Sequence, residues 1–271
     1  MLRRLHAANR HVPLVTVPFI TDGRHAFSVQ QIRDASPRTK INARIFTGRD
    51  YHGEDIGGWD MATRQHGRDY FERNKVLITP DIASADFVQI RDLNEPGVGR
   101  GFNDWLHGIL DGATASRIKL MLPTFSVGNP GIPGESRDDA WYWSDSGTHA
   151  LLRRIRDEGH GFGLHQYYPA SGDLTDASWA YRHRLFYPKL PADLRTLKLW
   201  LVEFGQSKEV RGTPAVRSDA LYETIFRSAQ RELAKGPGDP DVAFWTLGDS
   251  GGWGPDRLEG VLDVYERVVM E

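Results

Sequence analysis

Short apolar runs rich in β-branched and aromatic residues alternate along this chain with longer amphipathic segments. The alternation predicts βα units around a parallel sheet, because parallel strands need a long crossover connection between them. Seven runs predict strands: Pro13 to Phe19, Asn42 to Thr47, Asp86 to Ile90, Lys119 to Phe125, Gly161 to Tyr167, Leu199 to Phe204 and Val242 to Leu247. Leu2 to Ala7 is the candidate for a further first strand, although it is rich in arginine and its link to Pro13 is short.

Apolar residues at spacings of three and four predict the helices between these strands. They cover Val29 to Ala35, Ala62 to Val76, Asn103 to Ser116, Gly147 to Glu158, Ala177 to Tyr187, Ser218 to Lys235 and Leu258 to Met270. Eight strands with helices between them predict an α/β fold, the (β/α)8 TIM barrel, which typically takes about 250 residues. We therefore expect residues 1–271 to form one barrel domain whose first βα unit is short or atypical.

Charge and composition limit the classes of partner that this chain could bind. The formal net charge of -2 and the sequence pI near 6.6 provide no field that would attract nucleic acid or an anionic membrane. No apolar run approaches the roughly 20 residues that cross a bilayer, and no signal peptide is visible at the start. The absence of cysteine removes thiolate chemistry and leaves the compartment open. The sequence does not indicate the oligomeric state.

Two glutamates stand where predicted strands meet their loops. Glu95 follows the strand Asp86 to Ile90, and Glu203 follows the apolar residues of the strand that begins at Leu199. A buried, unpaired carboxylate costs several kcal/mol, so such residues usually have a partner or a function. With eight strands, the two glutamates would close strands four and seven and face each other across the barrel mouth. Retaining glycosidases hold two carboxyl groups about 5 to 5.5 Å apart in this way.

The two segments carry a family resemblance. Asn94-Glu95-Pro96 and Glu203-Phe204-Gly205 resemble the corresponding motifs of the clan A glycoside hydrolases. The resemblance implies that Glu95 is the acid/base, that Glu203 is the nucleophile and that Asn94 binds the sugar 2-hydroxyl. It also implies a preference for β-linked sugars.

Two further segments extend the resemblance. His165-Gln166-Tyr167 is similar to the clan segment in which a tyrosine hydrogen-bonds the nucleophile, which implies that role for Tyr167. Trp245 resembles the aromatic floor under the sugar. His165 is expected to line the site, and its alternative is an ordinary core histidine. No metal motif is present, so we expect neither a metal nor another cofactor.

Arg44 and several tryptophans admit two interpretations each. The clan usually carries an arginine beside the nucleophile, but Arg44 falls on the third predicted strand. It is either that arginine or an interior residue paired with a core acid such as Asp92. The loop tryptophans either contact a sugar or only cover the barrel mouth: Trp59, Trp141, Trp143 and Trp253.

The predicted function is a retaining O-glycoside hydrolase that cleaves a β-linked glycoside or polysaccharide by double displacement. One alternative is a non-catalytic carbohydrate-binding barrel, which the presence of both Glu95 and Glu203 disfavours. Another is a cell-wall hydrolase acting on peptidoglycan, which the lack of a strongly basic surface disfavours. All three have a carbohydrate partner.

Overall fold

A computed structural model of the chain describes residues 1–20, 28–46, 51, 53–90, 98–125, 145–168, 181–206, 209–210, 213–214, 219–233, 241–244 and 258–271. The strands are β1 (Leu14–Ile20), β2 (Lys40–Phe46), β3 (Phe87–Gln89), β4 (Met121–Phe125), β5 (Gly161–Tyr168), β6 (Leu199–Gln206), β7 (Glu209–Val210), β8 (Thr213–Pro214) and β9 (Asp241–Phe244). The α-helices are α1 (Leu2–Ala7), α2 (Val29–Ala35), α3 (Arg64–Lys75), α4 (Pro80–Ala83), α5 (Phe102–Ala115), α6 (Ser146–Asp157), α7 (His183–Phe186), α8 (Asp219–Leu233) and α9 (Leu258–Met270).

The parallel strands form two sheets. The first has the order β1-β2-β3 and the second has the order β4-β5-β6-β9, while β7 and β8 form a separate antiparallel pair. An isolated parallel bridge between Val88 and Leu120 joins β3 to β4. On the other side, the Thr16 hydroxyl of β1 donates to the Val202 carbonyl of β6 at 3.1 Å. The two sheets are therefore in direct contact on both sides.

The prediction of a (β/α)8 barrel is wrong. The described residues form parallel sheets of three and four strands rather than eight βα units. The expected first strand is instead α1, because Leu2 and Leu5 are spaced for a helix and Leu5 is completely buried. Asn9, with φ at 58°, follows the helix. Without that strand, the segment with Glu95 follows the third strand and Glu203 lies on the sixth, each one lower than predicted.

The two faces of β2 carry different kinds of side chain. Ile41, Ala43 and Ile45 are buried in the large core cluster, which also contains the apolar faces of α3, α5 and α6. Asn42 and Arg44 alternate with them and so point to the opposite face of the sheet. Polar side chains are thereby directed into the space where the two sheets meet.

Side-chain caps fix where several crossover helices begin. The Ser28 hydroxyl accepts a hydrogen bond from the Gln31 backbone N–H, and the Ser28 backbone N–H donates to Gln31 Oε1, forming a capping box at α2. Three other N-cap side chains accept backbone hydrogen bonds in the same way: Thr63 at α3, Thr79 at α4 and Asp145 at α6. None of the helices described here is long and apolar enough to cross a membrane.

Candidate functional site

Glu203 is the centre of a buried charged group. Arg44 donates a hydrogen bond from Nη1 to Glu203 Oε1, and His165 Nδ1 lies 3.4 Å from Glu203 Oε2. The side chains of Arg44 and Glu203 are only 12% and 6% exposed, and that of His165 is completely buried. Each carboxylate oxygen thus has its own nitrogen partner, and Arg44 supplies the counter-charge that a buried carboxylate needs.

Three strands from both sheets bring this group together. Arg44 lies on β2 in the first sheet, whereas His165 and Glu203 lie on β5 and β6 in the second. His165 and Glu203 are direct register partners, so their side chains start from neighbouring positions. The ion pair between Arg44 and Glu203 therefore links the two sheets across the interior, 159 residues apart in sequence.

An irregularity in β6 directs Glu203 to this interior. Leu164 pairs with Leu201, but the next pair is His165 with Glu203, so β6 has one extra residue, Val202. A bulge of this kind changes the alternation of side chains and turns the next one. Val202 belongs to a buried apolar cluster between the sheets. Because of the bulge, the next side chain, Glu203, also faces this interior instead of the helices on the other side of the sheet.

Below the charged group runs a chain of neutral polar side chains. The Asn42 amide donates to Gln89 Oε1 at 3.1 Å and, over a longer 3.4 Å, to the Thr16 hydroxyl. Gln89 Nε2 then donates to the Thr124 hydroxyl at 3.0 Å. Asn42, Gln89 and Thr124 are almost completely buried. This polar chain, Thr16–Asn42–Gln89–Thr124, crosses from the first sheet to the second.

A small apolar cluster closes the interior beneath the polar chain. It is formed by four residues near the amino ends of their strands and by Val202 in the middle of β6: Leu14, Phe87, Met121, Trp200 and Val202. The rings of Phe87 and Trp200 are 5.0 Å apart. The interior therefore changes from apolar to neutral polar to charged toward the carboxyl ends of the strands, which is where ligands bind in open parallel sheets.

The predicted site residues are only partly within the described residues. Glu203 and His165 are described and lie together. Tyr167 has its backbone in β5, but its side chain is outside the described part. Asn94, Glu95 and Trp245 also lie outside it, as does Asp92, the partner considered for Arg44.

Trp59 is placed in the core rather than at a site. It is 8% exposed, and its ring makes edge contacts with Phe102 and Trp105 at centroid distances of 5.1 and 4.8 Å. This tryptophan therefore packs into the core against α5. The other loop tryptophans lie outside the described residues: Trp141, Trp143 and Trp253.

A second buried histidine lies behind the site. His183 Nδ1 is 3.1 Å from Gln166 Oε1, and Gln166 follows His165 on β5. Because side chains alternate along a strand, Gln166 and His165 point to opposite faces. Burial lowers the pKa of His183 to about 3, so this imidazole is neutral at physiological pH.

No model of a known protein family matches the chain, and no curated protein matches it either. Within the described residues, no group of three or more His, Asp or Glu side chains could hold a metal ion.

Sequence reasoning did not find the polar chain. Thr16, Asn42, Gln89 and Thr124 were not among the candidate residues, yet they form the layer beneath Glu203. A signal was present, because polar residues at alternate positions of an otherwise apolar parallel strand indicate a polar interior face. Asn42 and Arg44 between Ile41, Ala43 and Ile45 are the clearest example.

Proposed function

We propose that this protein is a retaining glycoside hydrolase that acts on a β-linked glycoside or polysaccharide. Glu203 is the nucleophile and Glu95 the acid/base. The single observation that carries the proposal is the setting of Glu203: a buried carboxylate whose two oxygens face Arg44 and His165 in the carboxyl-terminal halves of β2, β5 and β6. The proposal does not depend on an eight-stranded barrel.

A purely structural ion pair is the main alternative explanation for Arg44 and Glu203. Buried ion pairs are weak contributors to stability, since desolvation offsets most of their attraction. A fold needs no third polar group at such a pair, but His165 also faces the carboxylate. Convergent polar groups around a carboxylate at the ligand-binding edge of a parallel sheet favour a functional role.

The proposed reaction is a double displacement. Glu203 Oε attacks the anomeric carbon while the bond to the leaving oxygen breaks, and Glu95 gives its proton to that oxygen. A water molecule then attacks the glycosyl–Glu203 ester, with Glu95 taking the water's proton, so that free Glu203 and a sugar of unchanged anomeric configuration result. Asn94, Tyr167 and Trp245 are proposed to bind the sugar, and His165 to line the site.

The decisive experiment replaces the nucleophile. We expect Glu203→Ala to reduce turnover by about 10⁴-fold or more, as is typical when a catalytic nucleophile is removed. Azide should partly restore turnover of an aryl β-glycoside by taking the place of the carboxylate and should give an α-glycosyl azide. The measurement is release of the aryl alcohol from a panel of aryl β-glycosides, with product analysis by NMR.

Glu223→Ala is the matched control. Glu223 lies on α8 and pairs at the surface with Arg227 and Arg267, so its loss should leave turnover unchanged and insensitive to azide. Near-normal turnover by Glu203→Ala would overturn the proposal. Binding of glycans without turnover by the wild type would instead favour a carbohydrate-binding protein, and activity on peptidoglycan alone would favour a cell-wall hydrolase.

A further inference from the structure

The carbonyl of Val202 receives its hydrogen bond from the other sheet. Val202 is the extra residue of β6, and it has no partner in the register of either neighbouring strand. The Thr16 hydroxyl on β1 donates to this carbonyl at 3.1 Å. Because a bulge disrupts the ladder locally, a side chain that binds its backbone can determine which shape the bulge adopts.

Both neighbours of β6 shift register at the same place. Toward β5 the shift falls between Leu201 and Glu203, and toward β9 it falls between Leu201 and Phe204. The ladders on the two sides therefore leave the backbone at Val202 and Glu203 less constrained than the rest of the strand. A contact from outside the sheet at this point has a direct effect on the direction of Glu203.

The Thr16 hydroxyl is itself held in one orientation. It has a single proton, which goes to Val202, so its oxygen accepts from Asn42 Nδ2. The second proton of that amide goes to Gln89 Oε1, and Gln89 donates to Thr124. The donated hydrogen bonds thus diverge from the Asn42 amide: one branch runs through Gln89 to Thr124, and the other runs through Thr16 to the carbonyl before Glu203.

We infer that Thr16 is a positioning residue: its hydroxyl, oriented by the polar chain, sets the bulge that aims Glu203 at Arg44 and His165. Its effect on catalysis rests on the proposed function, whereas its effect on the geometry of Glu203 does not. A threonine that only satisfied a buried carbonyl would change stability when replaced but would leave the Arg44 contact intact.

The test compares four variants of the full chain. Thr16→Val removes the hydroxyl at nearly constant shape, Thr16→Ser keeps it, and Thr39→Val is the matched control. Thr39 is a threonine beside β2 that is more deeply buried than the half-buried Thr16, and its hydroxyl donates to Ser36 at 2.8 Å, away from the site. Thr16→Ala is the second variant without the hydroxyl, in case Thr16→Val does not fold.

The first measurement is NMR of the arginine guanidinium groups. In the wild type, Thr16→Ser and Thr39→Val, the Arg44 N–H signals should be protected from exchange by the contact with Glu203. In Thr16→Val and Thr16→Ala they should broaden or exchange at least about tenfold faster, while the signals of Arg64, which binds Asp111 on the helix side, stay unchanged. Unchanged Arg44 signals in the variants without the hydroxyl would overturn the inference.

The second measurement separates kcat from KM on the best aryl glycoside. Loss of the hydroxyl should lower kcat by about 10- to 100-fold, on the order expected for a displaced catalytic group, and change KM by less than about threefold. Thr16→Ser should recover most of the loss. If no substrate is turned over by the wild type, the proposed function fails but the NMR result still decides on the positioning role. Equal kcat in all variants would contradict that role while leaving the hydrolase proposal in place.

Discussion

At the scale of residues, the charge pair of Arg44 and Glu203 is the most consequential contact described. Both side chains are nearly excluded from water, so neither can exchange its partner for solvent. Removing one member of such a pair leaves a buried, uncompensated charge, which costs about 3 to 5 kcal/mol. Exposed pairs contribute only about 0 to 1 kcal/mol. The two kinds of pair can therefore be distinguished by unfolding experiments.

We predict that Arg44→Leu lowers the free energy of unfolding by about 3 to 5 kcal/mol, measured by urea denaturation at pH 7.5. The double variant Arg44→Leu with Glu203→Gln should recover at least about half of that loss, because the unpaired charge is then gone. Arg153→Leu is the control: its pair with Asp193 is 41% and 46% exposed, and its loss should lower the free energy of unfolding far less than the loss of Arg44. An equally small effect of Arg44→Leu would contradict the burial of this pair.

The sequence predicted parts of this site but not its pairing. Strand patterning placed Glu203 and His165 in buried strands, and the structure puts them 3.4 Å apart. For Arg44 the sequence allowed two interpretations: an ion pair with a core acid such as Asp92, or a position beside the nucleophile. The observed partner is Glu203, which is distant in sequence and on the other sheet. Periodicity reveals which face a residue occupies, but it does not reveal which strand lies opposite or where a bulge turns a side chain.

At the scale of elements, local signals predicted most strands and helices but failed at the start. The strand predicted over Asp86 to Ile90 is observed as β3, Phe87–Gln89, and the helix predicted over Val29 to Ala35 is α2 with the same ends. Leu2 to Ala7 was predicted as a strand although its leucines are three residues apart, and it forms α1. A six-residue segment contains too few turns for periodicity to decide between the two structures.

Two glycines allow α3 and α5 to cross closely. A Cβ atom at Gly108 on α5 would lie 1.9 Å from the Arg64 carbonyl oxygen, and one at Gly67 on α3 would lie 1.9 Å from that of Trp105. Each glycine thus faces the backbone of the other helix. Backbone cannot move aside as a flexible side chain can, so even a methyl group would force the helices apart.

We predict that Gly108→Ala lowers the free energy of unfolding by about 3 kcal/mol or more, despite alanine's higher helix propensity. Circular dichroism during urea denaturation measures the change. Gly147→Ala in α6 is the matched control, because its Cβ would meet side-chain atoms and no backbone, Asp145 Oδ2 at 2.9 Å and Asn103 Nδ2 at 3.7 Å, and should shift stability by less than about 1 kcal/mol. Equal effects of the two substitutions would show that the close crossing is not required.

At the scale of the whole molecule, the parallel arrangement was predictable and the strand count was not. Alternating strands and helices predicted parallel sheets, and the first six parallel strands follow one another in chain order within their two sheets. The number of strands and the way the sheets meet depend on contacts such as the Val88–Leu120 bridge and the Thr16–Val202 hydrogen bond. Such contacts join residues that are far apart in sequence or leave no repeating pattern, so a single sequence does not reveal them.

Buried histidines make the stability of the folded protein depend on pH. His160 precedes β5, and its Nδ1 accepts a hydrogen bond from the Leu120 backbone N–H at 3.0 Å. Burial, followed by the charge of Lys119, lowers the pKa of His160 to about 4, although Glu158 acts in the opposite direction. The remaining charged neighbour, Arg154, also lowers it. The folded protein therefore keeps this imidazole neutral at pH values where the unfolded chain, with a pKa of about 6.5, protonates it.

The last prediction follows from that difference. As pH falls from about 6.5 toward 4, the unfolded chain takes up a proton at His160 that the folded protein excludes, so the free energy of unfolding decreases, by about 2 kcal/mol at pH 5 for this site. His183 adds a similar loss, because burial lowers its pKa as well.

His160→Asn keeps an acceptor for the Leu120 N–H and cannot titrate, so the fall in its urea midpoint between pH 7.5 and pH 5 should be shallower than in the wild type. The exposed His6→Asn is the control and should follow the wild type. The Asp111 carboxyl does not contribute to this change in stability, because hydrogen bonding to Arg64 lowers its pKa well below the pH range of the experiment. Parallel pH profiles for His160→Asn and the wild type would show that His160 is protonated equally in the folded and unfolded states.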